Sequence, residues 1–222
     1  MIDAGIQVGV VYPQIELGGE ADAVRAIGDA IEAQGYRHLV AYDHVLGAEQ
    51  ADRQPELTGP YDENDPFHDP FVLFAYLAGR SDTLEFASGV LILPQRQTAL
   101  VAKQAADLAV LSGNRLRLGV GVGWNWVEYE ALGEDFATRG QRANEQIELL
   151  RRYWTEPTVS FAGRFDRVER AGIVPRPSMS PPVWVGGFGA ASLRRAVRLG
   201  DGFIFGGPRI HVAEQWARLK EL

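Results

Sequence analysis

The most constraining feature of this chain is a regular alternation of short apolar segments with longer amphipathic ones. Six segments have the length and composition of buried β-strands: residues 6–11, 38–42, 84–92, 115–121, 183–186 and 202–205. Strands that alternate with helices form a parallel sheet, and strands apolar on both faces lie in the interior. The pattern predicts an α/β fold. A (β/α) barrel needs eight strands, so either the barrel stops before strands seven and eight or the sheet is open.

The predicted helices lie between these strands, and one excursion interrupts the alternation. Asp69-Pro70 is a helix start, with Asp as the N-cap and Pro at the first helical position. Residues 158–168 predict a β-hairpin that turns at Ala162-Gly163, and a Pro-rich tether over residues 175–182 returns to the fifth strand. Helices are expected over residues 20–34, 71–79, 98–112, 139–154 and 190–199, and in a last segment that aligns Val212, Trp216 and Leu219 on one face.

Composition excludes several functional classes. With 46% hydrophobic residues, the 222-residue chain can bury a sizeable core in one domain, residues 1–222. A formal net charge of −7 disfavours nucleic acid and anionic membranes as partners. The absence of cysteine excludes disulfides, a thiol nucleophile and cysteine-ligated metals. Because the sequence shows neither a signal peptide nor a bilayer-spanning apolar run, we expect a cytoplasmic protein.

Residues just beyond the carboxyl ends of the strands form the candidate site, since ligands of parallel α/β folds bind there. The three glycines within residues 119–123 share one strand face, which leaves room for a flat molecule or for another backbone. Small residues that fill a tapering barrel explain the same pattern. Gly186, Gly187 and Gly189 lead from a strand into a helix, where exposed backbone N–H groups suit an anion such as phosphate.

His44 is the best acid–base candidate among the four histidines, because it follows the second strand and imidazole titrates near neutrality. Its neighbour Asp43 is expected to point to the opposite side of the extended chain. The two side chains are therefore not expected to ligate one metal, and no metal site is predicted. Trp124 and Trp126 follow the glycine-rich strand, either to wall a ring-shaped ligand or as ordinary packing.

Missing motifs narrow the chemistry further. The dinucleotide fingerprint G-x-G-x-x-G is not met, and no P-loop, G-x-S-x-G elbow or H-E-x-x-H helix is present. A glycosidase needs two spaced carboxylates at the strand ends, and apart from Asp43 only Glu128 and Glu130 are near. The helix behind the second glycine run carries three arginines, which we interpret as a solvated face rather than a clamp for an acidic ligand: Arg194, Arg195 and Arg198.

A series of short stretches carries a family resemblance when taken in chain order. They are Ala41-Tyr-Asp-His-Val45, Ala87-Ser-Gly-Val-Leu-Ile-Leu-Pro94, Leu118-Gly-Val-Gly-Val-Gly-Trp124 with Glu128, Arg139 to Trp154, Ser160-Phe-Ala-Gly-Arg164, and Pro175 through Trp184-Val-Gly-Gly187 to Phe203. The ordered set resembles the bacterial luciferase-like superfamily of barrel oxidoreductases. Within it, the chain is most similar to members that use the deazaflavin coenzyme F420.

The resemblance implies a (β/α)8 TIM barrel of the luciferase-like type, here without its last two strands, and with the excursion 155–182 before strand five. It implies a flavin-like ring at the barrel mouth, with His44 serving proton transfer and Asp43 as a polar contact to the ring. Gly89-Val90 falls where the family places a bulged, frequently cis, peptide behind the ring. Gly123-Trp124 matches a phosphate-side loop of the family, as do Gly186, Gly187 and Gly189.

The activity implied is hydride transfer between coenzyme F420 and a small organic substrate. Two alternatives are an FMN-dependent luciferase-like monooxygenase and a non-catalytic flavin- or deazaflavin-binding protein. Loops 47–68, 124–138 and 155–182 are expected to set the substrate, because such loops vary independently of the fold. Since dimers are common in the superfamily, a homodimer is a further expectation.

Overall fold

A parallel β-sheet forms the centre of the computed structural model, which describes residues 5–222. The strands are β1 (Gly9–Val11), β2 (His38–Ala41), β3 (Glu85–Ser88), β4 (Leu91–Ile92), β5 (Leu116–Gly121), β6 (Val159–Ala162), β7 (Arg167–Ala171), β8 (Val183–Gly186) and β9 (Gly202–Ile204). Seven of them make one sheet in the order β1-β2-β3-β5-β8-β9, with β4 also paired to β5. Every ladder of this sheet is parallel, as the alternation predicts.

Helices follow the strands and begin close to the predicted starts. They are α1 (Ala21–Ala33), α2 (Pro70–Ala78), α3 (Thr98–Leu111), α4 (Trp126–Ala131), α5 (Arg139–Thr155), α6 (Ala190–Leu199) and α7 (Arg209–Leu219), with 3-10 turns at Leu93–Gln95 and Phe136–Thr138. At the start of α2, the Asp69 carboxylate accepts the N–H groups of Phe71 and Val72 at 2.9 and 3.1 Å. The predicted cap is therefore confirmed.

One apolar cluster holds the strands and helices together. Leu39, Phe86 and Leu118, from three neighbouring strands, are buried in the same cluster as Phe74 of α2 and Ile147 of α5. The rings of Phe74 and Phe86 lie with centroids 5.4 Å apart. Burying each such side chain stabilises the fold by roughly 1.5–3 kcal/mol. The cluster fixes the strands relative to one another, and so places the residues at their carboxyl ends.

The sheet curls into a half-barrel that is open within residues 5–222. β1 and β9 are its two edges and do not pair with each other. The predicted hairpin is confirmed as β6 and β7, which form a separate antiparallel pair in the excursion before β8. Val159 and Ile173 of this excursion are buried, so the hairpin is attached to the core rather than held apart from it.

The structure departs from the predicted elements in three places. The first strand, predicted over residues 6–11, begins only at Gly9. The third strand, predicted as continuous over 84–92, is interrupted at Gly89-Val90 and becomes β3 and β4. Residues 124–138, expected to be a loop, contain α4, whose N-cap is Asn125. The Asn125 side chain accepts the N–H of Val127 at 3.1 Å, which satisfies one of the free donors at the helix start.

Side-chain environments in two helices differ from what the sequence suggests. The aligned apolar residues of α7 do not form a buried face, since Trp216 is 51% exposed, whereas Gln215 is the buried residue of that helix and donates to the Gly187 carbonyl at 3.1 Å. Arg195 is buried rather than solvated, and it donates to Asn144 Oδ1 at 2.7 Å and to the Gly140 carbonyl at 3.0 Å. The two hydrogen bonds of Arg195 connect α6 to α5.

Candidate active site

His44 follows β2 at the carboxyl edge of the sheet and lies in an aromatic cage. Its ring centroid is 5.3 Å from that of Tyr61, 4.8 Å from Phe67 and 5.7 Å from Trp124, each in an edge-on arrangement. Tyr61 and Phe67 belong to the loop 47–68, which therefore covers this end of the sheet. Only 9% of the His44 side chain is exposed, so the imidazole is largely shielded from bulk water.

A carboxylate from α4 also contacts this part of the chain. Glu128 is 1% exposed, and its Oε2 lies 3.3 Å from Nδ1 of His44. Its Oε1 accepts the backbone N–H groups of Val45 and Leu46 at 2.7 and 3.1 Å. From the same helix start, Asn125 donates its side-chain amide to the Leu46 carbonyl at 3.3 Å. The first turn of α4 thus holds the segment that follows β2.

Asp43 points away from His44, as the alternation of an extended chain predicts. Its side chain is fully buried, with Oδ2 accepting the Ile92 N–H at 2.8 Å and Oδ1 accepting from Arg96 at 2.7 Å. Burial raises the pKa of Asp43, and the charge of Arg96 offsets this only in part. Arg96 also pairs with Asp69 at 3.0 Å. Because both carboxylate oxygens are occupied, Asp43 connects the ends of β2 and β4; its contact to a cofactor ring stays a prediction.

The peptide between Gly89 and Val90 is cis and forms the bulge that separates β3 from β4. Both residues are half-buried, whereas Ser88 and Leu91 on either side are buried. The bulge therefore comes to the surface of the curled sheet, where a ligand can reach it. Its place in the chain is the one predicted, and its role behind a ring remains a prediction.

The glycine face of β5 is filled by the protein's own atoms. A Cβ on Gly119 would overlap the carbonyl oxygen of Ser88, and one on Gly121 would overlap the side chain of Val90. A Cβ on Gly186, at the end of β8, would meet Val90 as well. The sequence left open whether these glycines make room for a flat molecule or another backbone, or fill a tapering barrel. Gly119 allows the close approach of another backbone, whereas Gly121 and Gly186 make room for the side chain of Val90.

Gly123 and Trp124 lie between β5 and α4. Gly123 has a φ of +60°, which a side chain would strain, and Trp124 packs against His44 on one side and against Gly59 of the loop 47–68 on the other. A cavity of about 600 Å³ lies beside Trp124 and is lined mostly by apolar and aromatic side chains, including Leu57, Trp126 and Phe136. Trp124 therefore contacts His44 and also lines this cavity.

Gly186, Gly187 and Gly189 lead from β8 directly into α6. Gly189 is the N-cap of α6, and no side chain caps this helix. A Cβ on Gly189 would meet nothing within 4 Å, whereas one on Gly187 would press on Ser192. The first N–H groups of a helix without a side-chain cap are free to bind an anion. This geometry fits a phosphate, and the role itself stays a prediction.

The structure brings the predicted residues into two groups along one edge of the sheet. His44 and Trp124 are in contact with each other, and so are Val90 and Gly186. The accessible bulge and the uncapped start of α6 fit a flat cofactor with a phosphate. Among the predicted site residues, Asp43 fits such a cofactor least, because its side chain is buried.

Sequence reasoning missed four residues that shape this site: Glu128, Tyr61, Phe67 and Arg96. For Glu128 a signal was present, because Asn125 and Glu128 have the spacing of a capping box at a helix start. That spacing predicts α4, although Glu128 contacts the end of β2 instead of its own N-cap. The two aromatic residues carry no signal of this kind, since they lie in a long polar loop.

Residues 5–222 contain neither a metal-binding cluster nor a membrane-spanning helix. No three His, Cys, Asp or Glu side chains in this range come together in a way that could hold a metal ion. Within the same range, no helix has both the length and the apolar character that crossing a bilayer requires.

Sequence comparison gives the first link to known proteins. The model of the luciferase-like monooxygenase family matches residues 4–222. An uncharacterized protein of Mycobacterium tuberculosis is 39% identical over 186 residues, which are 82% of this chain and 64% of that protein. The F420-dependent hydroxymycolic acid dehydrogenase of M. tuberculosis is 29% identical over 89% of this chain and 52% of its own length. The FMNH2-dependent dimethylsulfone monooxygenase of Pseudomonas fluorescens is 29% identical over 77% of this chain and 47% of its own length.

Solved structures confirm the fold class. The monooxygenase RslO1 from Streptomyces bottropensis superposes with a TM-score of 0.81 at 20% identity, covering 97% of this chain and 65% of that one. The coenzyme F420-dependent tetrahydromethanopterin reductase from Methanopyrus kandleri gives 0.69 at 14% identity, covering 97% and 61%. At these identities the likeness concerns the fold alone. The chain spans 65% or less of the length of each of these relatives and structures.

Proposed function

Because the chain belongs to the luciferase-like monooxygenase family, we propose that it is an oxidoreductase that transfers a hydride between coenzyme F420 and a small organic substrate. One observation carries this proposal. His44, the bulge at Gly89-Val90 and the uncapped start of α6 all lie at the carboxyl edge of one parallel sheet. Such an edge is where barrel enzymes bind their ligands.

Each of these features has a separate task in the proposed reaction. F420, when bound, supplies the hydride-accepting carbon. The half-buried Gly89-Val90 bulge supports one face of the ring, and the N–H groups that begin α6 bind phosphate. His44 exchanges one proton with the substrate, and its aromatic cage of Tyr61, Phe67 and Trp124 keeps bulk water away. The cavity beside Trp124 is the place proposed for part of the substrate.

The oxidoreductase class itself is supported by relatives that bear F420-dependent and FMNH2-dependent names. The choice of F420 is the finer step, and FMN is the second candidate because a relative that is 29% identical bears an FMNH2-dependent name. The two proposals differ in chemistry, since reduced flavin reacts with oxygen and a reduced deazaflavin does so poorly.

Equilibrium binding of F420 and of FMN to the purified chain, followed by fluorescence, tests this choice. We expect F420 to bind more tightly than FMN. Preference for FMN would contradict the F420 proposal and favour the monooxygenase, and binding of neither would contradict both.

Turnover then separates an enzyme from a non-catalytic binding protein. Reduction of F420 is measured with a panel of alcohols, in wild type and in His44→Ala. We expect the variant to lose about 10²–10⁴-fold in kcat, the usual contribution of general acid–base catalysis. His211→Ala, at an exposed position of α7, is the matched control. Unchanged turnover in His44→Ala would contradict the role of His44.

A further inference from the structure

Glu128 is a carboxylate buried at the sheet edge with an incomplete set of partners. It is 1% exposed, and burying an ionised carboxylate is costly unless it is paired or hydrogen-bonded. Its Oε1 accepts two backbone N–H groups, from Val45 and Leu46. Within residues 5–222, the polar contact of Oε2 is with Nδ1 of His44, at 3.3 Å. The two oxygens therefore have different tasks.

Within residues 5–222, His44 is the basic side chain that lies within 4 Å of Glu128. The other groups that face the imidazole are Tyr61, Phe67 and Trp124. None of these is a carboxylate, and burial raises the pKa of the Tyr61 phenol, so Tyr61 stays neutral. Asp43, the next residue in the chain, directs its carboxylate to Ile92 and Arg96 instead.

We propose that Glu128 is the positioning residue of His44: its Oε2 accepts the proton of Nδ1, which fixes the imidazole as the Nδ1–H tautomer and leaves Nε2 to exchange a proton with the substrate. This inference rests on the proposed function only in the task that it gives to Nε2. A carboxylate or carbonyl that orients one ring nitrogen commonly decides which nitrogen of a histidine is basic.

The proposed reaction uses this tautomer, because it leaves the lone pair of Nε2 free to accept a proton. With F420 bound as the hydride acceptor, the C–H bond of an alcohol would break and its electron pair would leave with the hydrogen as hydride. The hydroxyl proton passes to the lone pair of Nε2, and a carbonyl group forms. The imidazolium that results carries Nδ1–H toward Glu128, whose negative charge stabilises it at a distance of 3.3 Å.

A purely structural role for Glu128 would predict a different result from the same substitution. In Glu128→Gln, the amide oxygen still accepts from Val45 and Leu46, so the end of β2 is retained. The amide NH2 group then replaces Oε2 beside Nδ1 and donates to it. That contact favours the opposite tautomer, in which Nε2 carries the proton and can no longer accept one.

The test is 15N NMR of the His44 ring nitrogens in the chain without any cofactor. We expect the Nδ1–H tautomer in wild type and the Nε2–H tautomer in Glu128→Gln. Glu130→Gln, an exposed position on the same helix, is the matched control and should leave the wild-type tautomer. A wild-type His44 in the Nε2–H form, or a tautomer that does not respond to Glu128→Gln, would overturn the proposal.

Activity gives a second readout that a merely structural role would not affect. In F420 reduction, Glu128→Gln should lower kcat by about 10²-fold or more with little change in KM, while its thermal midpoint stays near that of wild type. Because the NMR result needs no cofactor, a tautomer change without any F420 turnover would uphold the pairing and contradict the proposed function. Loss of kcat with an unchanged tautomer would contradict the pairing alone.

Discussion

At the scale of single residues, one buried ion pair connects the strand ends beneath the site. Asp43 has no exposed side-chain surface, and Arg96 reaches it at 2.7 Å while also contacting Asp69 at 3.0 Å. Removing one partner of a buried pair leaves an uncompensated charge, which usually costs more than the pair contributes. The pair thus stabilises the ends of β2, β4 and α2 together.

Replacing Arg96 by Met should therefore destabilise the protein by about 3–5 kcal/mol, because Asp43 loses its buried cation. The free energy of unfolding in urea measures this. Arg80→Met is the matched control, since Arg80 pairs with Asp29 at the exposed surface at 2.9 Å, where such pairs are worth about 0–1 kcal/mol. Equal losses in the two variants would contradict the structural role of Arg96.

The same variant gives a signed pH dependence. The Arg96 charge is the largest influence that lowers the pKa of Asp43, so Arg96→Met should raise that pKa further above its ordinary value of 3.8. A carboxyl with a raised pKa in the folded state binds its proton more tightly there than in the unfolded state. Relative to wild type, the variant should lose stability as the pH rises from the folded-state pKa of wild-type Asp43, which already lies above 3.8, toward the higher pKa of the variant, and should regain it toward lower pH. A difference that does not change with pH would contradict this.

The sequence predicts that Asp43 and His44 follow the second strand, whereas it does not predict the contact that Glu128 makes with this segment. Alternation along an extended chain predicts that Asp43 and His44 diverge, and the structure agrees. The contact from Glu128 to Val45 spans 83 positions of the chain. No local pattern encodes a contact of that range, because it depends on how α4 packs at the end of β2.

At the scale of elements, the glycines of β5 are explained by the atoms of neighbouring segments that pack against them. Gly119 faces the backbone of Ser88 and the side chain of Ile204, while Gly121 faces Val90. Backbone atoms in a parallel ladder cannot move aside for a methyl group without disturbing the sheet. The glycines are thus needed for packing within β3, β5 and β9, whatever is bound at the edge.

Gly119→Ala should destabilise the fold by roughly 1–3 kcal/mol, the usual cost of overpacking a core. Thermal or urea unfolding is the measurement. Gly189→Ala is the matched control, since a Cβ there meets nothing within 4 Å and its φ is −95°. If Gly119→Ala unfolded like wild type, the close approach of Ser88 would be wrong.

The elements themselves were largely predictable, and the exceptions have physical causes. The spacing of apolar residues and the helix-capping residues located most strands and the starts of most helices, including Asp69 before α2. The break at Gly89-Val90 could not be read from apolar pattern, because Val90, Leu91 and Ile92 continue the hydrophobic run. The exposure of Trp216 in α7 could not be read from the sequence, because aligned apolar residues do not show whether a partner surface covers them.

At the scale of the whole molecule, the half-barrel leaves two edge strands unpaired within residues 5–222. Val11 of the edge strand β1 is 49% exposed. An exposed apolar edge strand is a template for pairing with another chain. The alternation of strands and helices predicted the parallel order of this sheet, whereas its curl follows from tertiary packing.

We expect the 222-residue chain to associate at high concentration through this edge, and Val11→Lys to reduce the association, because a charged side chain there opposes strand pairing. Sedimentation velocity over a range of concentrations measures it. Val72→Lys, which adds the same charge at a 66% exposed position of α2, is the matched control. A chain that is monomeric at every concentration, or an equal effect of the two variants, would contradict the prediction.

If F420 binds at the carboxyl edge of the sheet, its addition should change the NMR signals of that edge. The measurement is a titration of the 15N-labelled chain with F420, followed by amide chemical shifts. We expect the largest shifts at Val90, at Ala190 in the start of α6, and in the segment around His44. Shifts confined to another surface, such as the groove of about 560 Å³ between α5 and α6 beside Arg194 and Arg198, would contradict it, and so would the absence of any shift.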